Sequence, residues 1–195
     1  MIAYLKGKLI HKDPTHAIVE VNGIGYQVGI SLYTFSQIKD KEDIKLVTYL
    51  HVREDAHVLF GFASEAEKQM FQQLISVNGV GPSTAMVVLS YLPPDELKSA
   101  IVNEDTVALQ SVKGIGGKTA QRLILELRDK LKKESLEIAS GGGVVRNTMR
   151  QEALTALVTL GIAKPAAERS VDTILKREGN AISLEQLIKQ ALKTA

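Results

Sequence analysis

The chain has 195 residues, 45% of them hydrophobic and 24% charged, with no cysteine and a formal net charge of +2. That length allows one domain or two to three small ones, and the absence of cysteine excludes disulfides, thiolate nucleophiles and cysteine-held zinc or iron–sulfur centres. No apolar run approaches a membrane span, and the alternating, charged start MIAYLKGKLIHKD is no secretory leader. A cytoplasmic location without membrane contact is the expectation.

Residues 1–64 read as strands. The stretches IAYLKGKLI, AIVEV, YQVGI, IKLVTYLHV and VLFGF are short, partly alternating and rich in β-branched and aromatic residues. KDPT and the Asn22-Gly23 pair separate them, the latter suited to a hairpin turn. Five such strands predict a small closed barrel of OB type, with a β-sandwich as the alternative. The segment carries seven positive and seven negative side chains.

At Ser64 the period changes. Ser64 and Glu67 form a capping box, and Met70, Phe71, Leu74 and Ile75 then recur at helical spacing. Residues 65–135 are expected to be helical, broken at NGVG, LPP, Asn103 and KGIG, with Pro82 and Pro94 at helix starts. Between Lys113 and Lys133 stand seven positive and two negative side chains, a local excess that fits a solvated helix face or a polyanion partner. Residues 136–147, with Gly141, Gly142 and Gly143, read as a flexible linker; about a dozen such residues span roughly 20 Å as a random coil. Residues 148–195 then predict a three-helix domain, with stops at Gly161 and Gly179 and a capping box at Ser183 and Gln186.

The stretch GIGGKTAQR, from Gly114 to Arg122, ends its glycine turn in Gly-Lys-Thr. A nucleotide-binding loop requires G-x-x-x-x-G-K-[ST], but Val112 stands where the first glycine belongs, and ALQSV is no buried strand. The loop belongs instead to a repeat. LISVNGVGPSTAMVVL (74–89) and LQSVKGIGGKTAQRLI (109–124) align without gaps at an offset of 35. Each copy reads as helix, Gly-hydrophobic-Gly, helix.

That turn has a physical reading. Glycine supplies backbone angles that other residues adopt at a cost, and Val80 or Ile115 plugs between the two helices. The first amides of the second helix lack intrahelical partners and sit at the positive end of its dipole, so such a terminus holds phosphate. Without a side chain at a base edge, contact to DNA is independent of sequence. Read alone, one such turn is equally a tight packing corner. Two copies in register, with Lys118 and Arg122 one turn apart, point to a DNA backbone.

These doubled hairpins after a small barrel, with NGVGPSTA, KGIGGKTAQRLILEL and VREDAHVLFGF, resemble the RuvA family of Holliday-junction-binding subunits of the bacterial branch-migration complex, over the full length. The resemblance implies sequence-independent binding of four-way DNA junctions in recombination and repair. It implies phosphate contacts at Gly79, Val80, Gly81 and Ser83, and at Gly114, Ile115, Gly116, Lys118 and Arg122. Many relatives carry lysine where Ser83 and Gly117 stand, so a shallower salt dependence is expected here. The pair Glu54-Asp55 in HVREDAHV reads as a solvated hairpin tip, or less convincingly a metal site with His51 and His57; the resemblance implies an acidic pin at the junction centre. It further implies a cyclic homotetramer, in some members doubled to an octamer. Residues 148–195 would contact the hexameric ATPase RuvB, with the RuvC resolvase as a further partner. No catalytic residue, metal or cofactor is implied. Two other readings remain: a generic helix-hairpin-helix adaptor for duplex DNA, and a base-excision glycosylase. In the latter, an aspartate should follow Lys118 by about eighteen residues, where this chain has Leu136.

Overall fold

A computed structural model describes the backbone of residues 1–139, 144–178 and 182–194, and the side chains of 1–132, 149–178 and 182–194. Two compact units are present, 1–132 and 133–195.

In the first unit, strands β1 (Tyr4–Lys12), β2 (His16–Val21), β3 (Ile24–Ile30), β4 (Asp43–Val52) and β5 (His57–Phe62) close into a barrel in the order β1-β2-β3-β5-β4. All pairs are antiparallel except β3 with β5. Closure removes the free edges that a five-stranded open sheet would expose. The expected barrel is therefore the observed one, and the sandwich is not. Asn22 and Gly23 have φ of 51° and 82°, the two left-handed residues of a tight hairpin turn. Ala17, Val19, Val28, Leu46 and Ile44 alternate inward and fill the barrel.

Between β3 and β4 lies a helix that the sequence pattern does not announce, α1 (Leu32–Gln37), whose Ser31 hydroxyl accepts from the Thr34 amide at 3.0 Å. Its six residues, LYTFSQ, are too few to show a period and are rich in strand-forming types.

Helix α2 (Glu65–Ile75) starts at the expected Ser64 cap and lays Phe71 on the barrel. The Phe71 ring lies 5.4, 5.3 and 5.0 Å from those of Tyr49, Phe60 and Phe62. One continuous core runs from Phe60 and Phe62 through the following helices to Leu131. Beside the aromatic contact, the fully buried Glu67 accepts hydrogen bonds from the Ser31 hydroxyl at 2.5 Å, the Thr34 hydroxyl at 2.6 Å and the Ala63 amide at 3.0 Å. Burial raises its pKa above the usual glutamate value, against the lowering pull of those donors.

Helices α3 (Pro82–Tyr91) and α4 (Pro94–Val102) both open with proline, as expected. After Asn103 the chain turns through Glu104, at φ 59°, into α5 (Thr106–Gln110), capped by the Asp105 carboxylate on the Ala108 amide at 2.9 Å. Helix α6 (Gly117–Ala139) follows.

The second unit packs α7 (Val144–Thr159), α8 (Lys164–Glu178) and α9 (Leu184–Thr194) around Leu154, Leu157, Val171, Ile174 and Leu187. Ser183 and Gln186 exchange the reciprocal bonds of a capping box. Arg150 on α7 donates twice to Asp172 on α8, at 2.6 and 2.9 Å, and this holds the Asp172 carboxyl below its usual range. Of the expected 136–147 linker, α6 and α7 run up to Ala139 and from Val144, while Gly141, Gly142 and Gly143 lie outside the described residues, as does Gly179.

Candidate nucleic-acid interface

The sequence repeat is a repeat of hydrogen bonds. At the end of α2 the Val77 amide reaches the Leu74 carbonyl at 3.1 Å; at the end of α5 the Val112 amide reaches that of Leu109 at 3.3 Å. The chain then passes through Gly79 and Gly114, at φ 92° and 93°. The Val80 and Ile115 amides turn back to the Val77 and Val112 carbonyls at 3.1 and 3.0 Å, and both side chains are buried in the shared core. Ala85 and Ala120 open the next helix by donating to Gly81 and Gly116, each at 2.9 Å.

This geometry sorts the nine phosphate candidates. The Val80 and Ile115 side chains are buried in the core and their amides are bonded within the chain, to Val77 and Val112. Within the chain they hold the turn. Gly79 and Gly114 are glycine because their φ lies in the left-handed region. Gly81 and Gly116 differ. Gly81 has ordinary extended angles, φ −85° and ψ 169°, and neither residue has a positive φ. A Cβ added at either would meet no protein atom within 4 Å. Nothing inside the chain asks for glycine there.

The helices entering the two turns, α2 and α5, are capped by the side chains of Ser64 and Asp105. Helix α3, which leaves the first turn, has no side-chain cap, and Gly116 before α6 has no side chain to supply one. The opening amides of α3, those after Pro82, and those of α6 thus lack a side-chain cap at the positive end of a helix. Ser83, Lys118 and Arg122 are exposed. Arg122 is also engaged within the protein, its Nη1 donating to the Asn78 carbonyl oxygen at 3.0 Å. The sequence reading missed Asn78 as the point where the second hairpin is tied to the first.

A third glycine, Gly161 after α7, shares the φ of 93° but not the turn. Gly161 and Ile162 donate to the Val158 and Leu157 carbonyls at 3.0 Å each, the helix stop in which an apolar residue follows a left-handed glycine.

Glu54 and Asp55 are exposed at the tip between β4 and β5, a turn closed by the Arg53 amide on the Ala56 carbonyl at 2.8 Å. Among the described residues no three histidine or carboxylate side chains gather into a metal-holding group, and no helix is long and apolar enough to cross a membrane.

Three family profiles match the chain: the RuvA N terminal domain over residues 1–61, the SAM-like helix-hairpin-helix tandem over 71–129, and the RuvA C-terminal domain over 148–195. A relative from Cytophaga hutchinsonii is 58% identical, with 99% of each chain covered. The chain belongs to the RuvA family. Relatives from Amoebophilus asiaticus and Christiangramia forsetii are 50% and 48% identical, each with 99% of this chain covered and 100% and 99% of their own. All three are called Holliday junction branch migration complex subunit RuvA. The closed barrel, tandem hairpins and C-terminal helices of this chain follow the layout of that family.

Proposed function

We propose that the chain binds four-way DNA junctions through the two hairpin turns, irrespective of sequence, as a homotetramer that holds the junction open and flat. The domain at 148–195 recruits a hexameric ATPase of the RuvB kind, and that separate chain drives branch migration during recombination and repair. The chain itself performs no catalysis and uses no cofactor. The observation that carries this reading is the pair Gly81 and Gly116. Both lack a side chain at an uncapped helix opening where the fold would accept one, so the space answers to a molecule outside the chain. A sugar–phosphate backbone needs that space to reach the amides.

On this reading the donors to phosphate are the opening amides of α3 and α6, with Ser83, Lys118 and Arg122 beside them. Glu54 and Asp55 form the acidic pin, where negative charge repels the duplex backbone at the crossover and keeps strands apart. The closeness of full-length relatives named as junction branch migration subunits supports the assignment of substrate.

The test is a mobility-shift competition between a four-way junction and linear duplex of equal length, with native mass measured on the complex. Preference for the junction and a mass of four or eight protomers are expected. Equal affinity for both DNAs makes the chain a generic duplex adaptor, and release of a base from damaged duplex makes it a glycosylase.

A further inference from the structure

The two hairpins share the left-handed glycine and the bonds of the turn, but Pro82 leaves the first opening one amide short of the second, and the two differ in charge. The offset of 35 sets Ser83 against Lys118 and Val87 against Arg122. Helix α3, PSTAMVVLSY, therefore carries no charged side chain, whereas α6 carries a lysine and an arginine in its first two turns. Amides and a helix dipole alone bind phosphate less strongly than the same opening with a cation beside it. In the first copy that cation is missing from its own helix.

It is present across a cleft. Lys113, the residue before Gly114, is exposed, and among the described residues it has no hydrogen bond or ion pair. It lines one cleft of about 640 Å³ together with Ser83 and Val87 of α3 and Pro14, Thr15 and His16 of the barrel. None of the residues lining that cleft is acidic. The relation between the copies is reciprocal. Asn78 of the first turn is held by Arg122 of the second copy's helix. Its counterpart Lys113 lines the same cleft as Val87, the counterpart of Arg122. The first turn is thus bonded to the second copy's helix, and the second turn shares a cleft with the first copy's helix.

We propose that Lys113, on the second hairpin, is the cation of the first hairpin's phosphate site, extending across the cleft to the phosphate held by the opening amides of α3. The proposal rests on the junction-binding reading and adds a residue to it. The lone serine at 83 is then no loss of function, because the missing charge has moved to the neighbouring turn.

The experiment titrates a four-way junction with the full chain over a range of salt concentrations, for the wild type, Lys113→Gln, Ser83→Lys and the double variant. Each lost phosphate contact lowers the slope of log K against log salt by about 0.9, so Lys113→Gln is expected to weaken binding and flatten the slope. If both side chains serve one phosphate, Ser83→Lys restores affinity in the Lys113→Gln background by a larger factor than it adds to the wild type. Both positions are exposed, and thermal melts confirm that all four proteins are folded. An unchanged slope for Lys113→Gln, or effects of the two changes that simply multiply, overturns the proposal while leaving junction binding in place. A wild-type chain that binds no DNA overturns both.

Discussion

The guanidinium of Arg122 reaches from α6 to the carbonyl oxygen of Asn78 at 3.0 Å, tying the second hairpin's long helix to the turn of the first. Arginine has five N–H donors in a fixed fork, so one can hold Asn78 while the others face a phosphate. Lysine keeps the charge but is a single flexible point. Arg122→Lys is therefore expected to weaken junction binding about tenfold, the loss of roughly 1.5 kcal/mol for one charge-assisted hydrogen bond, with the salt slope unchanged. Arg122→Gln should lose more and flatten the slope. Wild-type affinity in the lysine variant, measured by anisotropy titration, would show that the tie to Asn78 has no bearing on binding.

The two kinds of glycine in each turn separate folding from binding. Gly81→Asp and Gly116→Asp place a favoured N-cap residue at positions with open space and no positive φ. Melting temperatures should stay within a few degrees of wild type or rise, while junction affinity falls by more than tenfold because a carboxylate occupies the phosphate position. Gly79→Val and Gly114→Val force a β-branched residue to φ near 90°, at a cost of about 1–3 kcal/mol each, so stability and binding should fall together. A fully binding Gly81→Asp, Gly116→Asp double variant contradicts the phosphate-site reading.

Glu54 and Asp55 have no bonding role in the fold. Glu54→Gln combined with Asp55→Asn should leave junction binding intact or tighter and alter the rate of branch migration in the presence of the ATPase. Loss of binding in that double variant counts against the pin.

Glu67 makes the barrel sensitive to pH. Its folded-state pKa is raised, with burial the leading cause. The native state therefore holds the proton more tightly than the unfolded chain, and this group's contribution to stability falls as pH climbs from the ordinary glutamate range to the raised value. Glu67→Gln should remove that component from a plot of unfolding free energy against pH. Glu67→Ala should destabilise by about 3 kcal/mol, since it strips the acceptor from buried Ser31, Thr34 and Ala63 donors. A pH profile identical in wild type and Glu67→Gln refutes the assignment.

What the sequence disclosed depended on periodicity and repetition. Asn22-Gly23, Ser64, Pro82 and Pro94 mark local backbone events and fall where they should. The doubled turn was legible because two copies constrain one another. Helix α1 was hidden because it is only six residues, three of them strand-forming types, stabilised by Ser31 and by the long-range partner Glu67. The engaged amides of Val80 and Ile115 are equally invisible without coordinates, because a Gly-hydrophobic-Gly string does not say which amide turns inward. The link from Arg122 to Asn78 and the cleft shared by Lys113 and Ser83 depend on how the two copies pack, which no single copy encodes.

The aromatic contact of Phe71 with Tyr49, Phe60 and Phe62 bears on how this protein can be taken apart. A fragment cut after residue 64 would leave Phe60 and Phe62 facing water and Ser31 and Thr34 without their acceptor, a sticky surface prone to self-association. The hairpins cut free would carry an equally bare Phe71. Barrel and hairpins thus stand or fall together, and a useful dissection point lies beyond Lys132 rather than at the change from strands to helices.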